Sequence, residues 1–183
     1  DEDLKLSDEW QPRNASRDFL GSVTLRVALE RSRNVPTVRV SEIVGISKII
    51  KRFSDFGLNT EGLDYDLSTT LGSFNTTPER VAKAYSVFVN NGKKVETNYI
   101  TKIQTSEGKK IFSKDGSCTA ECYDKDSVPD IRRQTYGERI TSEGKAFQVL
   151  SMLEGAVQRG TASRMRTVAP QGIAGKTGST SDH

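Results

Sequence analysis

The spacing of apolar side chains predicts three consecutive helices in the first third of the chain. Thr24 can cap the first helix, and Pro36 ends it near Asn34 because a proline disfavours helical geometry in the residue before it. The apolar positions of this helix recur at the i, i+3, i+4 spacing of one face: Leu25, Ala28 and Leu29. Two more amphipathic segments, 37–44 and 46–56, each stop at a glycine, so we expect them to pack as parts of one helical layer.

A fourth helix and a hairpin follow. Thr77 can cap a helix that has Pro78 in its first turn, and the many apolar residues of this helix predict that it is mostly buried. These residues are Val81, Ala82, Ala84, Tyr85, Phe88 and Val89. From Tyr99 onward the apolar residues alternate instead, which predicts two strands joined by a turn at 106–109.

The last third of the chain combines a polar segment, a long helix and a short strand. Residues 113–135 are polar, and we expect them to form a surface excursion. The wide apolar face of 141–160 predicts a helix at the centre of the packing. The basic connection 161–171 then leads into a predicted strand that contains Lys176.

Composition narrows the classes of function. The chain has 183 residues, of which 34% are hydrophobic, enough for one domain with a core. Its net charge of +3 comes from interspersed acidic and basic residues, so we expect no nucleic-acid partner. No apolar run approaches the ~18 residues of a membrane span, and no signal peptide is visible. Cys118 and Cys122 fit a small disulfide or two free thiols, and we expect no metal site because zinc needs four ligands and the only histidine is His183.

The segment 173–180 is the densest in chemical groups, and two chemistries use such a sequence. Gly175-Lys176-Thr177 is part of the phosphate-binding P-loop pattern, but Pro170, which has no N–H, stands where that pattern requires a glycine. Lys176-Thr177-Gly178 also matches the Lys-Thr-Gly strand of serine acyl-transferases that react with penicillin. The simpler alternative is a polar, glycine-rich tail after a short strand.

Ser32 and Asn34 lie at the predicted end of the first helix. A hydroxyl and an amide two residues apart on a turn can face the same cleft, one to relay a proton and the other to donate and accept hydrogen bonds. Asparagine is also common where helices end, so a purely structural helix cap remains the alternative for Asn34.

Taken in order, these segments resemble the transpeptidase domain of class A, or bifunctional, penicillin-binding proteins. The resemblance extends over nearly the whole chain except 113–135. It rests on Trp10-Gln-Pro-Arg-Asn14, Val23-Thr-Leu-Arg-Val-Ala-Leu-Glu-Arg-Ser-Arg-Asn-Val-Pro36, Leu71-Gly72, Thr77-Pro78, Ala84-Tyr-Ser-Val-Phe88, Met152-Leu153, Gln158-Arg-Gly-Thr161 and Gly175-Lys-Thr-Gly178. It implies an α+β fold like that of penicillin-binding proteins and serine β-lactamases, here incomplete, with a helical layer and part of an antiparallel sheet.

The family uses three motifs, Ser-x-x-Lys, Ser-x-Asn and Lys-Thr-Gly. Ser32-Arg33-Asn34 matches the second and Lys176-Thr177-Gly178 the third, but no Ser-x-x-Lys precedes Ser32. Ser106 and Ser142 begin such a pattern in the wrong order, where a hairpin turn and a helix cap explain them better. We therefore expect residues 1–183 to be part of a transpeptidase domain cut at both ends, without its nucleophile and inactive alone.

The resemblance also implies a role for each matching residue. Ser32 would relay a proton to the leaving amine, Asn34 would hold the amide carbonyl of the substrate, and Lys176 would keep the cleft positive. Thr177 and Ser179, on either side of Gly178, would bind the terminal carboxylate, and the N–H of Ser179 would be one oxyanion donor. Ser179 stands where the family most often has threonine, which keeps the hydroxyl. The implied partners are stem peptides of peptidoglycan that end in D-Ala-D-Ala, and β-lactams as inhibitors, with no cofactor.

The same resemblance places the intact protein on the periplasmic side of the bacterial inner membrane. A membrane anchor and a glycosyltransferase would precede this chain. A serine β-lactamase or a D,D-carboxypeptidase uses the same motifs, but we expect such enzymes to lack the segments around Trp10 and Gln158. A non-catalytic scaffold domain of the same fold is a further alternative.

Overall fold

The computed structural model describes residues 1–4, 10–113, 137–168 and 172–179. This part of the chain contains five α-helices, two short 3₁₀ helices and one two-stranded antiparallel sheet. The α-helices are α1 (Leu25–Glu30), α2 (Asn34–Val44), α3 (Ile46–Asp55), α4 (Pro78–Val89) and α5 (Glu143–Gln158). The 3₁₀ helices are Leu67–Leu71 and Ser163–Thr167, and the strands are β1 (Lys102–Gln104) and β2 (Lys110–Ser113).

Helix α5 lies at the centre of the packing, as its apolar pattern predicts. It contacts α1, α4 and the second 3₁₀ helix, while α2 contacts α1, α3 and the first 3₁₀ helix. The core residues with almost no exposed surface come from α2, α4 and α5: Val35, Val38, Val87, Ala146, Ala156 and Val157. Small side chains on α5 let its neighbours approach closely.

The boundary between α1 and α2 differs from the prediction. Thr24 caps α1 as expected, since its hydroxyl accepts a hydrogen bond from the N–H of Val27 at 3.3 Å. However, α2 begins at Asn34 rather than near residue 37. Pro36 lies in the first turn of α2, where its missing N–H costs no helical hydrogen bond. Ser32, with a φ of +53°, provides the left-handed turn between the helices, so the C-cap interpretation of Asn34 is wrong.

Helix α4 is less buried than the sequence predicts. Thr77 caps it, but only Ala84 and Val87 are fully buried, and Val89 is 70% exposed. Val81 and Tyr85 are also largely exposed, at 38% and 41%. Within the described residues α5 is the helix that α4 packs against, so one face of α4 is covered and the other faces outward.

The hairpin forms where the alternating pattern places it. Strands β1 and β2 pair antiparallel, with Ile103 opposite Phe112. Gly108 has a φ of +85° in the turn between them, a conformation that side chains other than glycine rarely adopt. The turn around Ser106 is therefore a structural element, as predicted.

The segment that holds Lys176 is not a regular strand. Residues 172–179 have no sheet partner within the described part of the chain. Instead, the N–H of Gly175 donates to the carbonyl of Leu153 on α5 at 3.2 Å, so the segment is fastened to a helix. The predicted excursion at 113–135 lies outside the described residues except for Ser113, and both cysteines lie outside them.

None of the helices in the described ranges combines the length and apolar character that a bilayer crossing requires.

Candidate active site

The structure brings together Ser32 and Lys176, which are 144 positions apart in the sequence. The ammonium Nζ of Lys176 donates a hydrogen bond to Oγ of Ser32 at 2.6 Å. Ser32 is presented by the left-handed turn between α1 and α2, and Lys176 by the segment fastened to α5. The hydroxyl and the cation are both partly buried, so they face each other in a site from which some water is excluded.

Burial lowers the pKa of Lys176 below its ordinary value of 10.5. Removing water from around an ammonium destabilises its charged form, so the proton is held less tightly. Nζ also donates to the carbonyl of Thr177 at 2.9 Å, and within the described residues no carboxylate forms an ion pair with it. The positive charge at this site is therefore not neutralised by a neighbouring acid in the described structure.

Asn34 is close in sequence to Ser32, but its side chain has a separate partner. Its Nδ2 donates to the carbonyl of Arg13 at 2.9 Å. Within the described ranges, no hydrogen bond joins Asn34 to Ser32 or Lys176, and its Oδ1 accepts none. The predicted amide is thus at the start of α2 with its carbonyl oxygen unused.

Thr177, Gly178 and Ser179 are all exposed. The Thr177 hydroxyl lies 2.6 Å from the hydroxyl of Thr161, three residues after the end of α5. A side chain on Gly178 would meet no atom within 4 Å, so this stretch is open on that side. The contact between the two threonines could not be predicted from the apolar pattern, which shows 161–171 only as a basic connection.

An ion pair between the buried Glu30 and the exposed Arg159 fixes α1 against α5 beside this site. Arg159 donates through Nε to Oε2 of Glu30 at 2.8 Å and through Nη2 to Oε1. Glu30 is only 4% exposed. The backbone carbonyl of Glu30 accepts a hydrogen bond from the N–H of Thr161 at 3.1 Å. Glu30 is two residues before Ser32, so this pair holds the turn of Ser32 in place. Its residues were not predicted as site residues, although Gly155 and Gly160 are the signal of a close approach.

A second network fastens the N-terminal segment to the start of α2. Arg33 is 5% exposed, and its guanidinium contacts Asp1 and Asp18 at 2.6 Å each. The pKa of Asp18 is lowered, first by the hydroxyl of Ser16 and then by Arg33. The buried Asn14 accepts a hydrogen bond from the N–H of Val35 at 3.2 Å. The middle residue of Ser32-Arg33-Asn34 thus has a structural role.

Among the described residues, no group of three or more His, Cys, Asp or Glu side chains could hold a metal ion.

Comparisons with known proteins point to one family. The model of the penicillin-binding protein transpeptidase domain matches residues 1–182. Penicillin-binding protein 1A of Rickettsia conorii is 38% identical over 94% of this chain, and that of Pseudomonas aeruginosa is 30% identical over 98%. The chain spans 22% and 26% of the length of these two relatives.

A solved structure has the same fold. The crystal structure of penicillin-binding protein 1A from Haemophilus influenzae superposes with a TM-score of 0.80 at 27% identity, over 98% of this chain and 30% of the other. The helices and small antiparallel sheet described above are thus part of the α+β transpeptidase fold that the sequence predicts. The chain belongs to the family of penicillin-binding protein transpeptidase domains.

Proposed function

We propose that this chain is part of a peptidoglycan D,D-transpeptidase, which cross-links stem peptides through a serine acyl-enzyme and is acylated by β-lactams. The observation that carries the proposal is the hydrogen bond of 2.6 Å between Lys176 and Ser32. The domain would comprise residues 1–183, with 113–135 as an excursion from it. In the intact protein we place the domain on the periplasmic side of the inner membrane, held there by an anchor outside these residues.

The attacking serine would come from outside the 183 residues. The two Ser-x-x-Lys sequences present are poorly placed for the role: Ser106 is in an exposed hairpin turn, and Ser142 precedes the first residue of α5. At 1.5 Å per residue, the 16 residues of α5 put Ser142 roughly 24 Å along the helix from the end that contacts Glu30. Ser142 is therefore at the opposite end of α5 from Glu30, which lies two residues before Ser32.

Ser32 would relay the proton of the attacking hydroxyl to the leaving amine. Because the Lys176 ammonium donates to Oγ of Ser32, the proton of Ser32 itself is directed away from Lys176 and is free to be donated into the cleft. The lowered pKa of Lys176 makes proton exchange through this pair easier than with a fully solvated lysine. Lys176 would thereby support the transfer and attract an anionic substrate.

The exposed end of the same segment would bind the substrate. A stem peptide that ends in D-Ala-D-Ala carries a terminal carboxylate, which accepts hydrogen bonds only, and the hydroxyls of Thr177 and Ser179 can donate them. Gly178 leaves room for the peptide to lie close to the backbone. Nδ2 of Asn34 has a second N–H besides the one that donates to Arg13, and with it Asn34 would hold the amide carbonyl of the stem peptide. The N–H of Ser179 would stabilise the oxyanion. No cofactor takes part in this chemistry.

The proposal is tested by finding where penicillin reacts. The full-length protein is treated with a labelled penicillin, digested and mapped by mass spectrometry, alongside residues 1–183 alone. We expect one adduct, on a serine outside residues 1–183, and none on the shorter chain. An adduct on Ser106 or Ser142 would contradict the assignment of the nucleophile. Absence of any adduct on the full-length protein would favour a non-catalytic scaffold, and rapid release of hydrolysed penicillin would favour a β-lactamase.

A further inference from the structure

The hydroxyl of Thr177, which the proposed function assigns to the carboxylate, contacts the hydroxyl of Thr161, which has no role there. Their oxygens are 2.6 Å apart, within the range for an O–H···O hydrogen bond. Thr177 directly follows Lys176, whereas Thr161 belongs to the turn after α5. Both side chains are exposed, so a solvent-borne anion can reach the pair.

The backbone of Thr161 is held from two sides. Its N–H donates to the carbonyl of Glu30 in α1 at 3.1 Å, and the N–H of Ala162, the next residue, donates to the carbonyl of Ala156 in α5 at 3.1 Å. The ion pair of Glu30 and Arg159 fastens the same two helices together. The segment of Thr177, by contrast, has no strand partner among the described residues. Thr161 is therefore the fixed member of the pair.

A carboxylate beside Thr177 would decide which of the two hydroxyls is the donor. A hydroxyl has one proton to donate, so only one of the two threonines donates in the contact. When Thr161 donates to Thr177, the proton of Thr177 is left for a third group. A carboxylate only accepts, so its presence beside Thr177 favours this order, and hydrogen bonds in a chain strengthen one another.

We propose that Thr161 is a positioning residue for the carboxylate end of the substrate, acting through the hydroxyl of Thr177. The inference rests on the proposed function, because it supposes that Thr177 meets the terminal carboxylate. Thr161 does not touch the substrate itself. It fixes the oxygen of Thr177 in space and leaves the proton of that hydroxyl available to the anion.

The test compares Thr161→Val with Thr161→Ser in the full-length protein. Valine keeps the shape of threonine without the hydroxyl, and serine keeps the hydroxyl. The measured quantity is the second-order rate constant of acylation by a penicillin and by its carboxylate methyl ester. With the free acid, we expect Thr161→Val to lose about tenfold, the effect of one hydrogen bond to a charged group, and Thr161→Ser to stay within about twofold of the wild type.

The methyl ester distinguishes an effect on carboxylate binding from a general structural effect of the substitution. With the ester, which carries no anion, we expect Thr161→Val and the wild type to react at the same rate. Equal losses with acid and ester would overturn the proposal, since they would show a purely structural effect. Thr177→Val should remove the benefit of Thr161, so adding Thr161→Val to it should change nothing, and a further tenfold loss in the double variant would also refute the proposal.

The outcomes distinguish this inference from the proposed function. A wild-type protein that reacts with penicillin, together with a Thr161→Val variant that reacts equally fast, would overturn the role of Thr161 alone. A wild-type protein that reacts with neither compound would overturn the transpeptidase assignment and this inference with it.

Discussion

The substitution Gly160→Ala tests the contact between α1 and α5 that positions Ser32. A Cβ at this glycine would lie 2.1 Å from the carbonyl oxygen of Glu30, and 2.8 Å and 2.9 Å from Cα and the carbonyl oxygen of Ala156. All three atoms belong to backbones, so no side chain can rotate to make room. The helices would have to separate by about 1 Å, which strains the packing and lengthens the 3.1 Å bond from Thr161 to Glu30.

The expected loss is about 2–4 kcal/mol in the free energy of unfolding, from overpacking and one weakened hydrogen bond. Urea denaturation followed by far-ultraviolet circular dichroism measures it. Gly144→Ala is the matched control, because Gly144 also lies in the sequence of α5 but a Cβ there meets nothing within 4 Å. Alanine at that position should stabilise by up to about 1 kcal/mol. Equal stabilities for the two variants would refute the proposed close approach.

Two further predictions concern the ion pairs. Glu30→Gln keeps the size of the side chain but loses the charge that faces Arg159 and Arg26, so we expect the free energy of unfolding, measured in urea, to fall by about 1–3 kcal/mol. An unchanged free energy would show that the charge of Glu30 contributes nothing to stability. The second concerns Asp18, whose folded pKa lies below its ordinary value of 3.8. Its contribution to stability is present above pH 3.8 and is lost as the pH falls through the lower, folded value. Asp18→Asn should therefore be less stable at neutral pH and lose less stability in acid, and identical pH profiles of the melting temperature would contradict this.

The helical elements could be predicted from the sequence because their signals are local. Thr24 and Thr77 have the expected capping hydrogen bonds, and α5 has the central position that its apolar face indicates. The exposure of α4 could not be predicted, because it depends on which elements lie next to the helix. The prediction of a strand at Lys176 is wrong for a similar reason, because a segment becomes a strand only when another strand pairs with it. In the described structure the N–H of Gly175 donates to the carbonyl of Leu153 in α5 instead.

In the candidate site, too, local motifs could be predicted and contacts between distant residues could not. Motif and resemblance predict Ser32 and Lys176 as site residues, and their contact across 144 positions follows from the packing of α1 against α5. Their catalytic roles stay predictions. Glu30 and Thr161 lie in segments that carry the resemblance, but no motif assigns either a role. An ion pair and a hydroxyl contact depend on two distant residues meeting. The glycines at 155 and 160 hinted at such a contact, but not at its partner.

The acylation rate of Ser32→Ala tests the central claim most directly. In the full-length protein, the second-order rate constant with a labelled penicillin is measured for the wild type, Ser32→Ala and the control Ser106→Ala, whose hydroxyl is in the hairpin turn. A residue that relays a proton contributes on the order of a hundredfold or more, so Ser32→Ala should be slower by at least that factor while Ser106→Ala matches the wild type. A Ser32→Ala variant that reacts as fast as the wild type would contradict the account.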